Sequence, residues 1–165
     1  MISVRTILHP TDFSRCAGVA FQAACSLARD RGAQLIVLHV REPVLLSWRR
    51  RGVEVFSPAR QDCRRALHAL RARAADVAVA PVMRKGDPAE AILALAREVP
   101  CDLIVMGMRG RTGEGLPGLG RVAAGVARLA RCPVLGVRLP RAAPGRAPAS
   151  DGRRTPGRPW TASAR

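Results

Sequence analysis

The sequence predicts one α/β domain built on a parallel β-sheet, and three observations lead to that fold class. Short apolar runs alternate with segments of helical periodicity, which is typical of parallel strands joined by right-handed crossovers. The runs at residues 35–40 and 103–106 are almost continuously apolar, as in strands buried on both faces. A length of 165 residues suits a single domain with its own core.

The first elements are a strand at residues 4–8, a helix at Arg15–Arg31 and a strand at residues 35–40. Asp12 or Ser14 can cap the helix, and Gly32 ends it because glycine readily adopts the left-handed conformation of a C-cap. We expect the packed side of the helix to contain five apolar residues: Val19, Phe21, Ala24, Cys25 and Ala28.

The second half repeats the alternation after an irregular stretch that contains Pro43, Trp48 and Pro58. Asp87 is expected to cap a helix with Pro88 in its first turn, where a missing N–H does no harm. The predicted helices are residues 59–75, 88–99 and 122–130, and the predicted strands are residues 77–83, 103–106 and Val134–Val137. In the first of these helices four residues have the spacing of a core face: Cys63, Ala66, Leu67 and Leu70.

The chain ends in a segment of different composition. Residues 141–165 are rich in Pro, Gly, Ala and Arg and show no periodicity, so they are predicted to form a disordered tail after a folded domain at residues 1–140. The five cysteines are scattered, which argues against zinc and against a disulfide framework and favours a reducing compartment. No signal-peptide layout and no membrane-spanning run is found, so we expect a cytoplasmic protein.

A formal charge of +16 raises the question of nucleic-acid binding. Lys85 is the only lysine, the arginines are spread along an alanine-rich chain, and few aromatic residues are available to stack on bases. These features favour a solvated basic surface. The run at residues 49–51, three consecutive arginines, is the best candidate for an anion patch.

Two loops that follow strands can carry chemistry, because ligands of open parallel sheets bind beyond the carboxyl ends of the strands. The first contains Thr11, Asp12 and Ser14 at a helix N-terminus. For Ser14 a capping role is preferred. For Asp12, capping and contact with a ribose or adenine group remain equally open.

The second loop extends from Gly107 to Gly120 and is rich in glycine, which lets backbone N–H groups approach an anion. Arg109, Arg111 and Arg121 add positive charge. The loop lies between a buried strand and a helix N-terminus, where phosphates bind readily. Residues 115–121 resemble half of a P-loop, but the expected lysine and hydroxyl are absent, so that motif is rejected.

The chain resembles the universal stress protein family in four stretches: residues 7–14, 38–40, 86–92 and 102–137. Nucleotide-binding members of that family carry G-x2-G-x9-G-[ST], and Gly107, Gly110 and Gly120 match its glycines. The resemblance implies five parallel strands in the order 3-2-1-4-5 with helices on both faces. It also implies a homodimer formed through the last strand, Val134–Val137.

The resemblance further implies an adenine-nucleotide site, with ATP, ADP or AMP as ligand and Mg²⁺ as an optional companion. Asp12 and the backbone of Val40 would contact adenine or ribose, with Thr11 beside them, and the three glycines would line the phosphates. The candidate site residues are Pro10, Thr11, Asp12, Val40, Met106, Gly107, Arg109, Gly110, Arg111, Gly120, Arg121 and Val122.

This sequence departs from the family motif at the phosphate end. Arg121 replaces the hydroxyl residue after the third glycine, and Ala123 replaces a second one. A lost hydrogen bond to a charged group weakens binding by about tenfold to a hundredfold. Arg121 can compensate by contacting phosphate or can point to solvent. The hypothesis is therefore weaker nucleotide binding than in typical binders.

Two other function classes stay open. The first is a universal stress protein that binds no nucleotide and acts as a dimeric interaction module. The second is nucleic-acid binding through the basic surface and tail, which a steep salt dependence would reveal. No spacing suggests a nucleophile, a base and an oxyanion site together, so no enzyme activity beyond slow ATP hydrolysis is expected.

Overall fold

A computed structural model describes residues 3–42, 60–111 and 118–139 of the chain. Strands and helices alternate along it as the sequence predicts. The elements are β1 (Thr6–Pro10), α1 (Arg15–Arg31), β2 (Gln34–Arg41), α2 (Arg60–Arg73), β3 (Val79–Lys85), α3 (Pro88–Glu98), β4 (Leu103–Gly107), α4 (Arg121–Leu129) and β5 (Val134–Val137).

The five strands form one parallel sheet in the order β3-β2-β1-β4-β5, which confirms the predicted fold class and strand order. β1 lies in the middle, between β2 and β4, with Leu8 opposite both Ile36 and Ile104. The chain first winds outward through β2 and β3 and then crosses to β4 and β5 on the other side. β1 and β4 therefore flank the point where the winding direction reverses, and their carboxyl ends open side by side.

Two hydrophobic clusters lie on opposite faces of the sheet. The first packs α1 and α2 against strand residues such as Ile7, Val37 and Val105. The second packs α3 and α4 against Leu8, Leu38, Ile104 and Met106. Because the side chains of a strand alternate between faces, adjacent residues Ile7 and Leu8 belong to different clusters, and both are fully buried.

The helix caps are those that the sequence predicts. The Ser14 hydroxyl accepts a hydrogen bond from the backbone N–H of Ala17, and Gly32 ends α1 with φ of 61°. Asp87 caps α3 by accepting from the N–H groups of Ala89 and Glu90, with Pro88 in the first turn. Each cap satisfies backbone groups that a helix end leaves without an internal partner.

Strand boundaries differ from the predictions by one or two residues. β1 runs from Thr6 to Pro10 rather than over residues 4–8, because its ladder with β2 continues until Pro10 faces Leu38. At its beginning, the Asp102 carboxylate accepts the N–H groups of Arg5 and Thr6. β3 likewise ends at Lys85, which faces Arg41 of β2. Pairing with a neighbouring strand sets these limits, and a single strand's composition does not reveal them.

Several predictions concern residues outside the described ranges. They are the irregular stretch at residues 43–58 with its arginine run at 49–51, the middle of the glycine-rich loop at residues 112–117, and the tail at residues 141–165. None of the helices in residues 3–42, 60–111 and 118–139 combines the length with the apolar composition that a membrane span requires.

Candidate functional site

The candidate site is formed where the β1–α1 loop and the glycine-rich loop meet at the carboxyl edge of the sheet. Thr11 continues directly from β1, and its N–H donates to the carbonyl of Leu38 in β2 at 2.8 Å. The glycine-rich loop leaves the adjacent strand β4 at Gly107. The two loops that the sequence singled out are therefore neighbours.

Hydrogen bonds within the loop and to β2 support the β1–α1 loop. The Thr11 hydroxyl accepts from the Phe13 N–H at 3.1 Å, and the Thr11 carbonyl is 2.9 Å from Nδ1 of His39. Phe13 has a φ of 61°, in the left-handed region that bulky residues rarely adopt. The His39 ring lies against the Phe13 ring with centroids 4.6 Å apart, which helps to hold this strained residue.

The Asp12 carboxylate joins the two loops. Its Oδ1 accepts from the Ser14 N–H, and its Oδ2 accepts from the Arg111 N–H, both at 3.0 Å. Each carboxylate oxygen has room for a second hydrogen bond, so Asp12 can still accept from a ligand hydroxyl or amine. The sequence leaves two roles open for Asp12, helix capping and ligand contact. In the structure Asp12 connects the two loops, and Ser14 is the side-chain cap of α1.

Each of the three motif glycines is closely approached by a neighbour. A Cβ at Gly107 would lie 3.1 Å from the first turn of α1, at Cys16 and Ala17. A Cβ at Gly110 would lie 2.5 Å from Oδ2 of Asp12, and one at Gly120 would lie 3.1 Å from the Met108 carbonyl oxygen. Any larger residue would push the loops apart, so the glycines allow their close packing.

Met108 connects the glycine-rich loop to the edge strand β5. Its N–H donates to the Val137 carbonyl at 2.8 Å, and its own carbonyl accepts from the Gly120 N–H at 2.7 Å. A Cβ at Gly136 of β5 would lie 2.9 Å from Cγ of Met108. Met108 is absent from the candidates predicted from sequence, because nothing in its residue type suggests a connecting role.

Arg109 and Arg111 take part in the loop through different groups. Nε of Arg109 donates to the Gly118 carbonyl at 2.9 Å, so its side chain folds back across the loop. Arg111 contributes its backbone N–H to Asp12. Gly118 has a φ of 87°, a conformation that suits glycine, and this allows the chain to turn beside the Arg109 guanidinium.

Arg121, the first residue of α4, lies between two carboxylates. Its Nη2 is 3.7 Å from Oε1 of Glu42, and its Nη1 is 3.6 Å from Oδ2 of Asp87. The Arg121 side chain is 56% exposed and is also paired, so phosphate contact stays a prediction. At these distances and this exposure each ion pair is weak, so a phosphate would face little competition for Arg121.

The N-terminus of α4 has no side-chain cap. Gly120 occupies the cap position and offers no side-chain acceptor. The N–H groups of a first helical turn otherwise need water, a cap or a ligand, and they favour negative charge. Ala123 is 5% exposed and packs into the core on the α3–α4 face, so position 123 faces the core rather than this helix end.

Four further candidates lie mainly in the hydrophobic framework beneath the site. Pro10 and Met106 are buried, and Val40 and Val122 are partly buried against the cluster that also contains Met106. They can offer backbone groups or an apolar edge to a ligand. Val40 also pairs with Arg84 in the β2–β3 ladder.

The two histidines near the site differ in their surroundings. His9 is completely buried, and its Nδ1 lies 2.8 Å from the Val105 carbonyl, while Nε2 has no hydrogen-bond partner among the residues that the structure describes. Burial lowers the pKa of His9 to about 4, so the ring is neutral near neutral pH. Burial also lowers the pKa of His39, and the positive charge of Arg111 acts in the same direction.

Two carboxylates at this edge, Glu42 and Asp87, were not predicted as site residues. Glu42 directly follows β2, and Asp87 follows β3 and was predicted only as a helix cap. A survey of the first polar residue after each strand would have found both, because parallel strands end at the same edge. Their pairing with Arg121 depends on the turn of α4 toward them and leaves no sequence signal.

Comparison with known proteins gives a consistent result. A family model described as "Universal stress protein family" matches residues 3–138. A universal stress protein of Thermus aquaticus is 39% identical over 140 residues, which are 81% of this chain and 98% of the relative. The solved structure of the hypothetical protein MJ0577 is 24% identical, with a TM-score of 0.74, and covers 86% of this chain and 100% of its own. A universal stress protein crystallised with cAMP is 25% identical, with a TM-score of 0.60 and coverages of 82% and 97%.

Proposed function

This chain belongs to the universal stress protein family, and from that premise we propose that it is a regulatory protein that binds an adenine nucleotide at the carboxyl ends of β1 and β4. The observation that carries the proposal is the closure of the two loops on each other. The Asp12 carboxylate lies against Gly110 and accepts the Arg111 N–H, so a carboxylate and a glycine-rich backbone border the same place.

The ligand would be recognised by two kinds of group. Asp12 retains acceptor capacity for a ribose hydroxyl or an adenine amine, and Val40 offers backbone groups on the β2 side. Gly107, Gly110 and Gly120 would line the phosphates, next to the α4 N-terminus that has no side-chain cap. A universal stress protein that is 25% identical to this chain was solved in complex with cAMP, and this supports an adenine nucleotide as the ligand.

We propose that an adenine nucleoside monophosphate binds at least as tightly as ATP. Arg121 stands where nucleotide-binding members have a hydroxyl, and its guanidinium is paired with Glu42 and Asp87. A single phosphate at the glycines does not need the missing hydroxyls. In the described part of the chain no group of three His, Cys, Asp or Glu side chains could hold a metal, so we assign no protein ligand to Mg²⁺.

We also propose a homodimer formed through β5. This strand lies at the edge of the sheet and pairs only with β4 among the described strands, so its other side offers unpaired backbone groups. Leu135 in the middle of the strand is 41% exposed. Edge strands are templates for pairing with another chain, and an exposed leucine adds apolar surface to such an interface.

Calorimetric titration of the full chain with cAMP, AMP, ADP and ATP tests the nucleotide proposal. We expect binding of at least one monophosphate and no tighter binding of ATP. The Asp12→Asn variant should weaken binding because the amide cannot replace a charged acceptor. Asp30→Asn, an exposed position near the other end of α1, is the matched control and should bind as the wild type does.

The alternative, a dimeric interaction module without nucleotide, is favoured by one observation: Arg121 and Ala123 stand where nucleotide-binding members of the family carry hydroxyl residues. The same titration separates the two functions. Absence of heat with all four nucleotides at millimolar concentration, from protein shown to be folded by circular dichroism, would reject nucleotide binding and favour the module. We assign no catalytic residue in either case.

A further inference from the structure

Two cysteines meet on the side of the domain opposite the nucleotide site. Cys101 precedes β4 by two residues, and Cys132 precedes β5 by two residues. β4 and β5 are paired neighbours, so the two thiols lie where adjacent strands enter the sheet. Their Sγ atoms are 3.9 Å apart, and the Cys132 thiol is directed at Cys101.

The two sulfur atoms are close enough for a disulfide to form by a local movement. To bond, the sulfur atoms must approach by about 1.9 Å from their separation of 3.9 Å. Rotation of the two side chains can provide a movement of that size without a change in the sheet.

A cavity beside the two cysteines is large enough for a small oxidant. A cavity of about 60 Å³ is lined by both cysteines together with residues of α3 and of the α4–β5 connection, among them Leu93, Ala96, Arg97 and Arg131. A cavity needs about 10–15 Å³ to hold one water molecule, and hydrogen peroxide is only slightly larger than water. Both residues are partly exposed, whereas Cys16, Cys25 and Cys63 are buried.

We propose that Cys101 and Cys132 are a thiol pair that a peroxide-class oxidant converts to an intramolecular disulfide. In the first step the Cys132 thiol gives up its proton and the thiolate attacks one peroxide oxygen. The O–O bond breaks, the leaving hydroxide takes up that proton, and Cys132 sulfenic acid and water are formed. In the second step the Cys101 sulfur attacks the sulfenic sulfur, an S–S bond forms, and the sulfenic hydroxyl leaves as a second water with the Cys101 proton. Two thiols are oxidised and one peroxide is reduced.

The order of the two steps follows from the surroundings of Cys101. Burial raises the pKa of Cys101 to about 12, with the neighbouring Cys132 adding to the increase, and its thiol lies 3.4 Å from the Leu103 carbonyl. A protonated thiol is a poor nucleophile toward peroxide, so Cys132 reacts first and Cys101 resolves the sulfenic acid.

The disulfide would join the entrances of β4 and the edge strand β5. It closes a loop from residue 101 to residue 132, which contains the glycine-rich loop and α4. A cross-link over a loop of this length restricts the unfolded chain. For a domain of this size we expect the melting temperature of the oxidised protein to rise by about 5–10 °C.

Mass spectrometry of the full-length protein tests the proposal. The protein is treated with hydrogen peroxide, the remaining thiols are alkylated, and trypsin is added without reductant. Cleavage after Arg97, Arg109, Arg131 and Arg138 should give one cross-linked species, residues 98–109 joined to residues 132–138. Dithiothreitol should separate the two peptides and reverse the rise in melting temperature.

Three variants complete the test. Cys101→Ser should leave Cys132 as a sulfenic acid that dimedone traps, and Cys132→Ser should leave Cys101 unmodified. Cys25→Ala, in the core of α1, should still give the cross-linked peptide. Alkylated Cys101 and Cys132 after peroxide treatment of folded wild-type protein would overturn the proposal, as would a disulfide between two chains or to a different cysteine.

Discussion

The carboxylate of Asp12 occupies the space that a side chain at Gly110 would need. A Cβ at position 110 would come within 2.5 Å of Oδ2, which also accepts the Arg111 N–H at 3.0 Å. The β1–α1 loop supplies the acceptor, Asp12. The glycine-rich loop supplies the Arg111 N–H as donor, and Gly110 leaves the space that the carboxylate occupies. The relationship makes the two loops a single structural unit at the edge of the sheet.

Gly110→Ala should therefore reduce nucleotide affinity by about tenfold or more, because the new methyl group displaces the carboxylate proposed to bind the ligand. Calorimetric titration measures the affinity, and urea unfolding measures stability. Gly18→Ala is the matched control. Gly18 lies in α1, and in the described part of the chain no atom outside its own helical turn lies within 4 Å of the place that its Cβ would take, so alanine should keep affinity and add about 0.5–1 kcal/mol of stability. Equal affinities for the two variants would contradict the role of the Asp12–Gly110 contact.

Arg121→Ser should raise the affinity for ATP relative to AMP by about tenfold, because it restores a hydroxyl next to Gly120 and a hydrogen bond to a charged group is worth about 1.5–3 kcal/mol. Competition between the two nucleotides measures the ratio. Arg128→Ser removes the same charge from the last turn of α4 and should leave the ratio unchanged. A fall in the ATP to AMP ratio on Arg121→Ser would instead indicate that the guanidinium binds phosphate.

His9 predicts a loss of stability in mild acid. Its pKa is about 4 in the folded protein against 6.5 in the unfolded chain, so between these values the unfolded state binds the extra proton. The contribution of neutral His9 to the free energy of unfolding is fully present above about pH 6.5, and this free energy falls by about 2–3 kcal/mol as the pH decreases to 4.5. His39, whose pKa is also lowered, acts in the same direction.

Urea unfolding at pH 7, 6, 5 and 4.5 measures this effect. His9→Asn keeps a donor for the Val105 carbonyl but does not titrate, so it should be less stable at pH 7 and depend less steeply on pH. If the wild type and His9→Asn show the same slope over this interval, His9 does not cause the acid sensitivity.

Leu135→Lys should shift the protein from dimer to monomer. Leu135 is 41% exposed in the middle of the edge strand, and a lysine there opposes the pairing of like strands. Light scattering after size-exclusion chromatography gives the mass. Leu129→Lys makes the same change at the end of α4, where the leucine is 52% exposed, and should leave the dimer intact. A wild-type monomer at micromolar concentration would remove the basis for an interface through β5.

The sequence predicts the architecture well because the signals for its elements are local. The caps at Ser14 and Asp87 and the C-cap at Gly32 each depend on a few consecutive residues, and the structure confirms all three. The apolar runs identify the strands, but their ends depend on the neighbouring strand, as Pro10 opposite Leu38 shows. Boundaries are therefore the part of the fold that a single sequence specifies least.

The candidate site is predictable in its position and less so in its contacts. Thr11, Asp12 and the motif glycines come together because strand order brings β1 and β4 side by side. The pairing of Arg121 with Glu42 and Asp87 joins residues that are 34 or more positions apart in sequence. Such contacts depend on side-chain directions that follow from the finished packing, and no local pattern encodes them.

Met108 makes the edge strand and the glycine-rich loop energetically dependent on each other. Gly136 of β5 lies against its side chain, and Gly120 donates its N–H to its carbonyl. The effects of Gly120→Ala and Gly136→Ala on the free energy of unfolding should therefore not add: a double-mutant cycle should give a coupling of about 0.5–3 kcal/mol. Met108 therefore supports both β5, which would pair with a second chain, and the glycine-rich loop, which would contact a phosphate.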